Sequence, residues 1–182
     1  MCEADLGKRF AQGGEPELDE VVQVYGEKLL RYATSILGRY QDAEDVVQGV
    51  FLTAYQKRGT FDGANLSAWL YKITYRRCLN ELKKRKTLFL ADVDNLREET
   101  VDPFADVAVN DGILEALAKL SAKERALLFC RIMDEGSYEE LSQIFEGSPA
   151  ALRKQYERAK RKLVGYLNDE GIFGKGSQNE AV

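Results

Sequence analysis

The sequence predicts an all-α fold of two small helical domains joined by an acidic linker, on three observations. Apolar residues recur at spacings of three and four along most of the 182 residues. Helix-start signals of the Ser-x-x-Glu and Ser-Pro types crowd the second half. One stretch, Thr87 to Asp111, lacks sustained periodicity, contains Pro103 and gathers acidic residues.

Glu17 to Leu37 carries Leu18, Val21, Val22, Val24, Tyr25, Leu29, Leu30, Ala33, Ile36 and Leu37, a spacing that predicts one long amphipathic helix ended by Gly38. Asp42 then opens a second helix, with Glu44 and Asp45 in the first turn, where the macrodipole favours acids. Its buried stripe is Val46, Val47, Val50, Phe51, Ala54 and Tyr55. Gly59 to Gly63 breaks the pattern, and a third helix starts near Asn65 or Ser67 and runs through Leu66, Trp69, Leu70, Ile73 and Leu79 into a basic tail. Beyond the acidic segment, Leu114, Leu117 and Leu120 mark a short helix. The run Ser121-Ala122-Lys123-Glu124 is a capping box, and Ser137-Tyr138-Glu139-Glu140 is a second. The last helices, Tyr138 to Phe145 and Pro149 to about Leu167, flank a tight turn at Glu146-Gly147-Ser148 and have helix-turn-helix spacing. The domains expected are therefore residues 1–86, a linker 87–111, residues 112–168 and a polar tail 169–182.

Composition narrows the function. The chain contains no histidine, which removes the commonest general base and transition-metal ligand, and no Gly-rich phosphate loop. Cys2, Cys78 and Cys130 are odd in number and widely spaced, so neither a disulfide framework nor a zinc ribbon is expected. Catalytic residues, metal and cofactor are all expected to be none. No stretch approaches about 18 uninterrupted apolar residues, and the first ten residues carry Glu3, Asp5, Lys8 and Arg9 instead of an apolar signal core. The expectation is a cytoplasmic protein with no membrane contact of its own and no small-molecule substrate.

The net charge of -4 conceals blocks. Lys72, Arg76, Arg77, Lys83, Lys84, Arg85 and Lys86 face a single acid, Glu81, within one stretch; Arg153, Lys154, Arg158, Lys160, Arg161 and Lys162 face only Glu157 in another. Screening confines electrostatic reach to about 8–10 Å, so local patches, not the global charge, set the field a nucleic acid meets. In a helix-turn-helix the second helix enters the major groove, and Arg and Gln suit bidentate base readout. Around the third helix, Phe61, Trp69, Tyr71 and Tyr75 interleave with cations, the mixture that stacks unpaired bases and holds their phosphates. Solvated helix faces and aromatics that merely pack are the simpler explanation of each run taken singly.

These residues resemble the extracytoplasmic-function group of bacterial RNA polymerase sigma factors, in the sigma-70 family. Asp42-Ala43-Glu44-Asp45-Val46-Val47-Gln48 with Val50-Phe51-Leu52, Phe61-Asp62-Gly63, Trp69-Leu70-Tyr71-Lys72-Ile73 and Asn80-Glu81-Leu82-Lys83-Lys84-Arg85-Lys86 resemble its region two. Leu120 to Arg125, Gly136 to Leu141 and Ser148 to Leu163 resemble its region four. The chain departs from the family pattern at Glu146 and Gly147 in the turn, at Pro149 and at Glu157.

The resemblance implies a three-to-four-helix region two and a helix-turn-helix region four. It implies core RNA polymerase as a partner through its beta-prime clamp and beta flap, promoter DNA as a second, and an anti-sigma factor as a third. Carried over by position, Asp42, Glu44, Asp45, Gln48 and Phe51 are expected to meet the clamp. Asn65, Tyr75, Arg76, Arg77, Asn80 and Lys83 are expected at the minus-ten element, whose melting needs only binding energy for an extruded base. Ser148, Arg153, Lys154, Gln155, Arg158 and Arg161 are expected at the minus-thirty-five element. The acidic linker corresponds to the connector that threads the polymerase interior. The rival is a helix-turn-helix regulator that binds duplex DNA without polymerase; a helical adaptor that binds only protein is a third reading.

Overall fold

The computed structural model describes residues 3–91 and 111–169. Among these, eight α-helices follow one another without a strand: α1 (Glu3–Gln12), α2 (Glu15–Leu37), α3 (Tyr40–Lys57), α4 (Leu66–Ala91), α5 (Asp111–Ala118), α6 (Ala122–Ile132), α7 (Tyr138–Ile144) and α8 (Pro149–Asp169). A 3-10 turn, Arg58–Thr60, links α3 to the loop before α4. No described helix is long and apolar enough to cross a membrane.

α1 is an addition to the helices expected above. Its Leu6 and Phe10 are buried against the rest of the first module, and Arg9 grips Glu20 of α2 through two bonds of 2.7 and 2.8 Å. α2 begins two residues earlier than its periodicity suggests, with Pro16 in its first turn, and ends at Gly38, whose φ of 71° a side chain would strain. α3 begins at Tyr40, so Asp42 lies inside the first turn and not at the cap. α4 is capped by Asn65, whose Oδ1 accepts from the Ala68 N–H at 2.9 Å, and it extends to Ala91. Its last turns therefore occupy the start of the segment expected to be linker; residues 92–110 lie outside the described residues.

Val21, Tyr25, Leu29, Tyr32 and Ile36 of α2 pack with Val46, Val50 and Ala54 of α3 and Leu66, Leu70 and Cys78 of α4. Each such apolar side chain contributes about 1.5–3 kcal/mol when fully buried. The hydroxyls of Thr34 and Thr74, buried in this core, donate to the carbonyls of Leu30 and Leu70 one turn back.

In the second module, both capping boxes form. The Glu124 and Glu140 N–H groups donate to Ser121 and Ser137 Oγ at 3.3 and 3.2 Å, and each glutamate accepts the serine N–H in return. Leu120, Leu128 and Ala159 form the centre of an α5–α6–α8 cluster. The turn between α7 and α8 places Gly147 at φ 139°, which explains glycine at that position.

The two modules are not separate bodies on a tether. Phe129, Cys130, Leu141, Ile144 and Phe145 of the second belong to the same continuous core as Tyr32, Tyr71 and Cys78 of the first. The Tyr32 ring lies 5.6 Å from Phe129 and 4.8 Å from Tyr71. Arg125 of α6 donates to the Ile36 carbonyl at the C-terminus of α2 (2.5 Å) and to Leu120 O (2.7 Å), so one cation serves a helix end from each module.

Candidate protein and nucleic-acid interfaces

The outer face of α3 is acidic and exposed. Glu44, Asp45 and Gln48 point to solvent, and Leu52, 59% exposed, continues the stripe one turn further. Leu52 is absent from the expected set, because a solitary exposed leucine has no periodic signature. Asp42 is half-buried and ion-paired to Arg39 (3.4 Å) and to Arg85 of α4, which commits its charge within the module. Phe51, expected with them, is only 9% exposed and belongs to the core cluster that includes Val47 and Val50. At about 100° per residue, position 51 shares its face with 47 and 54, and position 52 shares its face with 45 and 48.

α4 divides the expected minus-ten residues between two faces. Arg76, Arg77 and Asn80 line an open trough of about 680 Å³ between α3 and α4, together with Lys57, Lys72 and Lys84. Trp69 forms part of its wall, stacked on Phe61 with ring centroids 4.8 Å apart and planes 24° from parallel. Arg77 is pinned there: its Nη2 donates to Thr53 Oγ1 at 2.7 Å, and its guanidinium lies where a Cβ on Gly49 would stand, 2.4 Å from Nη1. Lys83 is exposed and lies off the trough.

Asn65 and Tyr75 are elsewhere, at the junction with the second module. The Asn65 amide donates to Gln143 Oε1 of α7 at 3.1 Å, and the Tyr75 ring meets Phe145 edge-on at 5.0 Å. Of the six residues expected together, Arg76, Arg77 and Asn80 line the cationic trough, Lys83 lies off it, and Asn65 and Tyr75 form a separate, half-buried pair. The basic run of α4 foretold Lys72 and Lys84 as charges; their place beside Trp69 required the packing of α3 on α4.

On α8, Arg153, Lys154, Arg158 and Arg161 are exposed, Gln155 is half-buried, and Ser148 Oγ caps the helix by accepting from the Ala151 N–H at 3.3 Å. Arg153 borders a basin of about 750 Å³ whose other walls include Arg131, Glu135, Tyr138 and Glu157. Arg161 donates to the Glu157 carbonyl at 3.2 Å. Lys162 points the other way and binds Glu124 at 2.5 Å, fastening α8 to the start of α6.

A third surface is apolar. Leu117, Leu128, Phe129, Ile132, Met133 and Leu163 line a groove of about 140 Å³ between α5, α6 and α8, closed at one side by Ser35 of α2. Ile132 and Met133 are 54% and 45% exposed, an arrangement that suits an apolar helix from a partner.

The described residues contain no cluster of three or more metal-ligating side chains. Burial pushes the Cys78 thiol up to about 12 and the Cys130 thiol well above its ordinary range, so both remain protonated and unreactive; Cys2 lies outside the described residues.

Comparison with known proteins gives one consistent answer. The family model Sigma-70 region 2 matches residues 21–87, and Sigma-70, region 4 matches residues 111–163. The chain is 24% identical over 178 residues to the ECF RNA polymerase sigma factor SigW of Bacillus subtilis, covering 89% of this chain and 95% of that one. It is 26% identical to the ECF RNA polymerase sigma factor SigM of Mycobacterium tuberculosis, over 91% of this chain and 86% of that one. Among solved structures it resembles the sigma factor RpoE in complex with the anti-sigma factor NepR from Bartonella quintana, with a TM-score of 0.72, 24% identity and coverage of 82% of this chain and 96% of the other. It also resembles CnrH in complex with the cytosolic domain of CnrY, with a TM-score of 0.69, 22% identity and coverage of 92% and 97%.

Proposed function

The chain belongs to the sigma-70 family of RNA polymerase sigma factors, in its extracytoplasmic-function group, and from that premise we propose that it binds core polymerase, recognises a promoter and lets the strands open without catalysing a covalent step. The observation that carries this reading is the pairing, in one chain, of a region-two module bearing a cationic, Trp69-walled trough with a region-four helix-turn-helix bearing an exposed row of cations.

In this reading residues 1–86 handle the polymerase clamp and the minus-ten element, 87–111 form the linker, and 112–168 read the minus-thirty-five element. Glu44 and Asp45 offer the clamp two carboxylates, Gln48 an amide and Leu52 one apolar contact. The trough holds the melted strand: Lys57, Lys72, Arg76 and Lys84 neutralise phosphates while the Trp69–Phe61 pair supports a base. Arg153, Lys154 and Arg158 approach the major groove, with Glu157 among them limiting how many phosphates can come close. The apolar groove around Ile132 and Met133 suits the beta flap. The chain works in the cytoplasm, held by an anti-sigma factor until needed.

Reconstituted transcription with core polymerase on a genomic DNA library tests the reading. Run-off products that appear only when this chain is added, from a shared minus-ten and minus-thirty-five pattern, are expected. Tight sequence-specific DNA binding by the chain alone, with no product on addition of core polymerase, replaces it with the helix-turn-helix regulator.

A further inference from the structure

Helix α1 lies before the stretch that matches region two, residues 21–87, yet it packs against the wall of the trough. The buried Phe10 ring lies 6.5 Å from Trp69 with the planes 59° apart, so the indole meets a ring from α1 as well as Phe61 from the loop before α4. That loop leans on α1 backbone to backbone. A Cβ on Gly7 would stand 2.9 Å from the Gly63 carbonyl oxygen, and one on Gly63 would stand 3.3 Å from the Lys8 Cα. Glycine at both positions permits the approach, and Gly63 also takes a φ of 79°, where a side chain would be strained.

Arg58 secures the other end of the loop. Its Nε donates to the Gly13 carbonyl at 2.8 Å, just past the end of α1, and its Nη1 donates to the Tyr55 carbonyl at 2.6 Å in the last turn of α3. The guanidinium also lies 4.0 Å from the centre of the Tyr55 ring. A helix C-terminus presents unpaired carbonyls with partial negative charge, so a cation suits the position. α1 is in turn anchored to α2 by the two Arg9–Glu20 bonds. Loop, indole and α1 therefore form one framework, and Gly7, Phe10, Gly13 and Arg58 are not among the residues that line the trough.

We propose that Phe10 and Arg58 are positioning residues for the minus-ten element: through them α1 holds the loop before α4 and the Trp69 ring in the orientation that accepts an extruded base. The proposal rests on the sigma-factor reading and adds a specificity determinant that itself touches no DNA. Stacking tolerates any base, because every base has a π face, so preference among bases depends on the groups set around the ring. Such a constellation works only while its members keep within about 0.5 Å of their places. A loop tied at both ends to an anchored helix meets that demand. A loop free to move loses part of its binding energy to ordering before it can hold a base.

The full chain carrying Arg58→Ala, Arg58→Lys or Phe10→Leu tests this beside the parent. With core polymerase, promoter DNA bearing a fluorescent purine analogue at one minus-ten position reports base extrusion, and run-off from promoters varied at that position reports base preference. Arg58→Ala and Phe10→Leu are expected to reduce extrusion about tenfold and to flatten the base preference, while binding to core polymerase and to minus-thirty-five duplex stays within about twofold of the parent. Arg58→Lys keeps a donor for one carbonyl and is expected to recover most of the loss. Trp69 is the single tryptophan of the chain, so acrylamide quenching of the free protein reads how firmly that ring is held. Quenching is expected to rise at least about twofold in Arg58→Ala and Phe10→Leu. Should Phe10→Leu fail to fold, Arg58→Ala, at a half-buried position, decides alone. Extrusion, base preference and quenching equal to the parent's, or an equal loss of core, minus-thirty-five and minus-ten binding, overturns the proposal. If the parent yields no transcription with core polymerase, the sigma-factor reading itself fails, and the quenching of Trp69 decides separately whether α1 fixes the ring.

Discussion

Phe51 and Asp45 stand six residues apart on α3 and have opposite fates, which separates stability from recognition at the level of single side chains. Phe51 is 9% exposed among Val47, Val50 and other core residues, so Phe51→Ala is expected to cost about 3–5 kcal/mol of folding stability. Denaturant melts measure that loss, and the fraction that remains folded is expected to bind core polymerase as the parent does. Asp45 is exposed and touches nothing that folding needs. Asp45→Lys is expected to leave the melting curve unchanged and to weaken association with core polymerase by about tenfold or more, equivalent to ~1.4 kcal/mol, in a titration followed by anisotropy. If both variants weaken binding without affecting the melt, the division of α3 into an inner and an outer face is wrong.

At the scale of elements, the second module depends on how its helices begin. α7 has only seven residues, too few to persist by propensity alone, so the Ser137–Glu140 box contributes a large share of its definition. Ser137→Ala is expected to lower stability by about 1 kcal/mol. The Ser137 backbone N–H and then its hydroxyl hold the Glu140 carboxyl below its ordinary value of 4.5. Burial pushes the Glu124 carboxyl up, but the bonds from Lys162 and Ser121 outweigh it and the net direction is again downward. A carboxyl depressed in the folded state contributes stability that is fully present above the unfolded pKa and is lost as pH falls through the folded one. Thermal melts at successive pH values are therefore expected to show loss of stability beginning as pH falls toward about 4.5 and continuing below it. Glu140→Gln is expected to make that acid limb shallower; an acid limb identical to the parent's refutes the assignment.

At the scale of the molecule, the proposed function makes duplex attachment a sum of cations delivered by one exposed helix face. Arg158 is exposed on α8, and Arg158→Ala is expected to weaken minus-thirty-five binding by the polymerase complex at all sequences alike. The slope of log affinity against log salt is expected to fall by roughly one, as for one lost phosphate contact. An unchanged slope removes Arg158 from the interface.

The helices themselves were legible in the linear chain, because periodicity, capping serines and turn glycines act over a few residues. α2, α3, α6 and the α7–turn–α8 unit lie within one or two residues of where Gly38, Ser121, Ser137, Gly147 and Pro149 put them. α1 escaped because its pattern is only two inward residues long, Leu6 and Phe10, and gains its meaning from the surface they cover. The cationic character of α4 and α8 was equally legible. What folding alone decided is which of those charges and aromatics share a surface. Arg77 lies down over Gly49 of α3 while Asn65 and Tyr75 turn toward α7, although all three sit on one helix. The sequence therefore determined two helical modules with cationic faces, through interactions local along the chain. Their mutual burial was decided by the tertiary structure, because apolar attraction carries no address: whether Phe145 packs on its own module or on Tyr75 depends on residues seventy positions away meeting it in space.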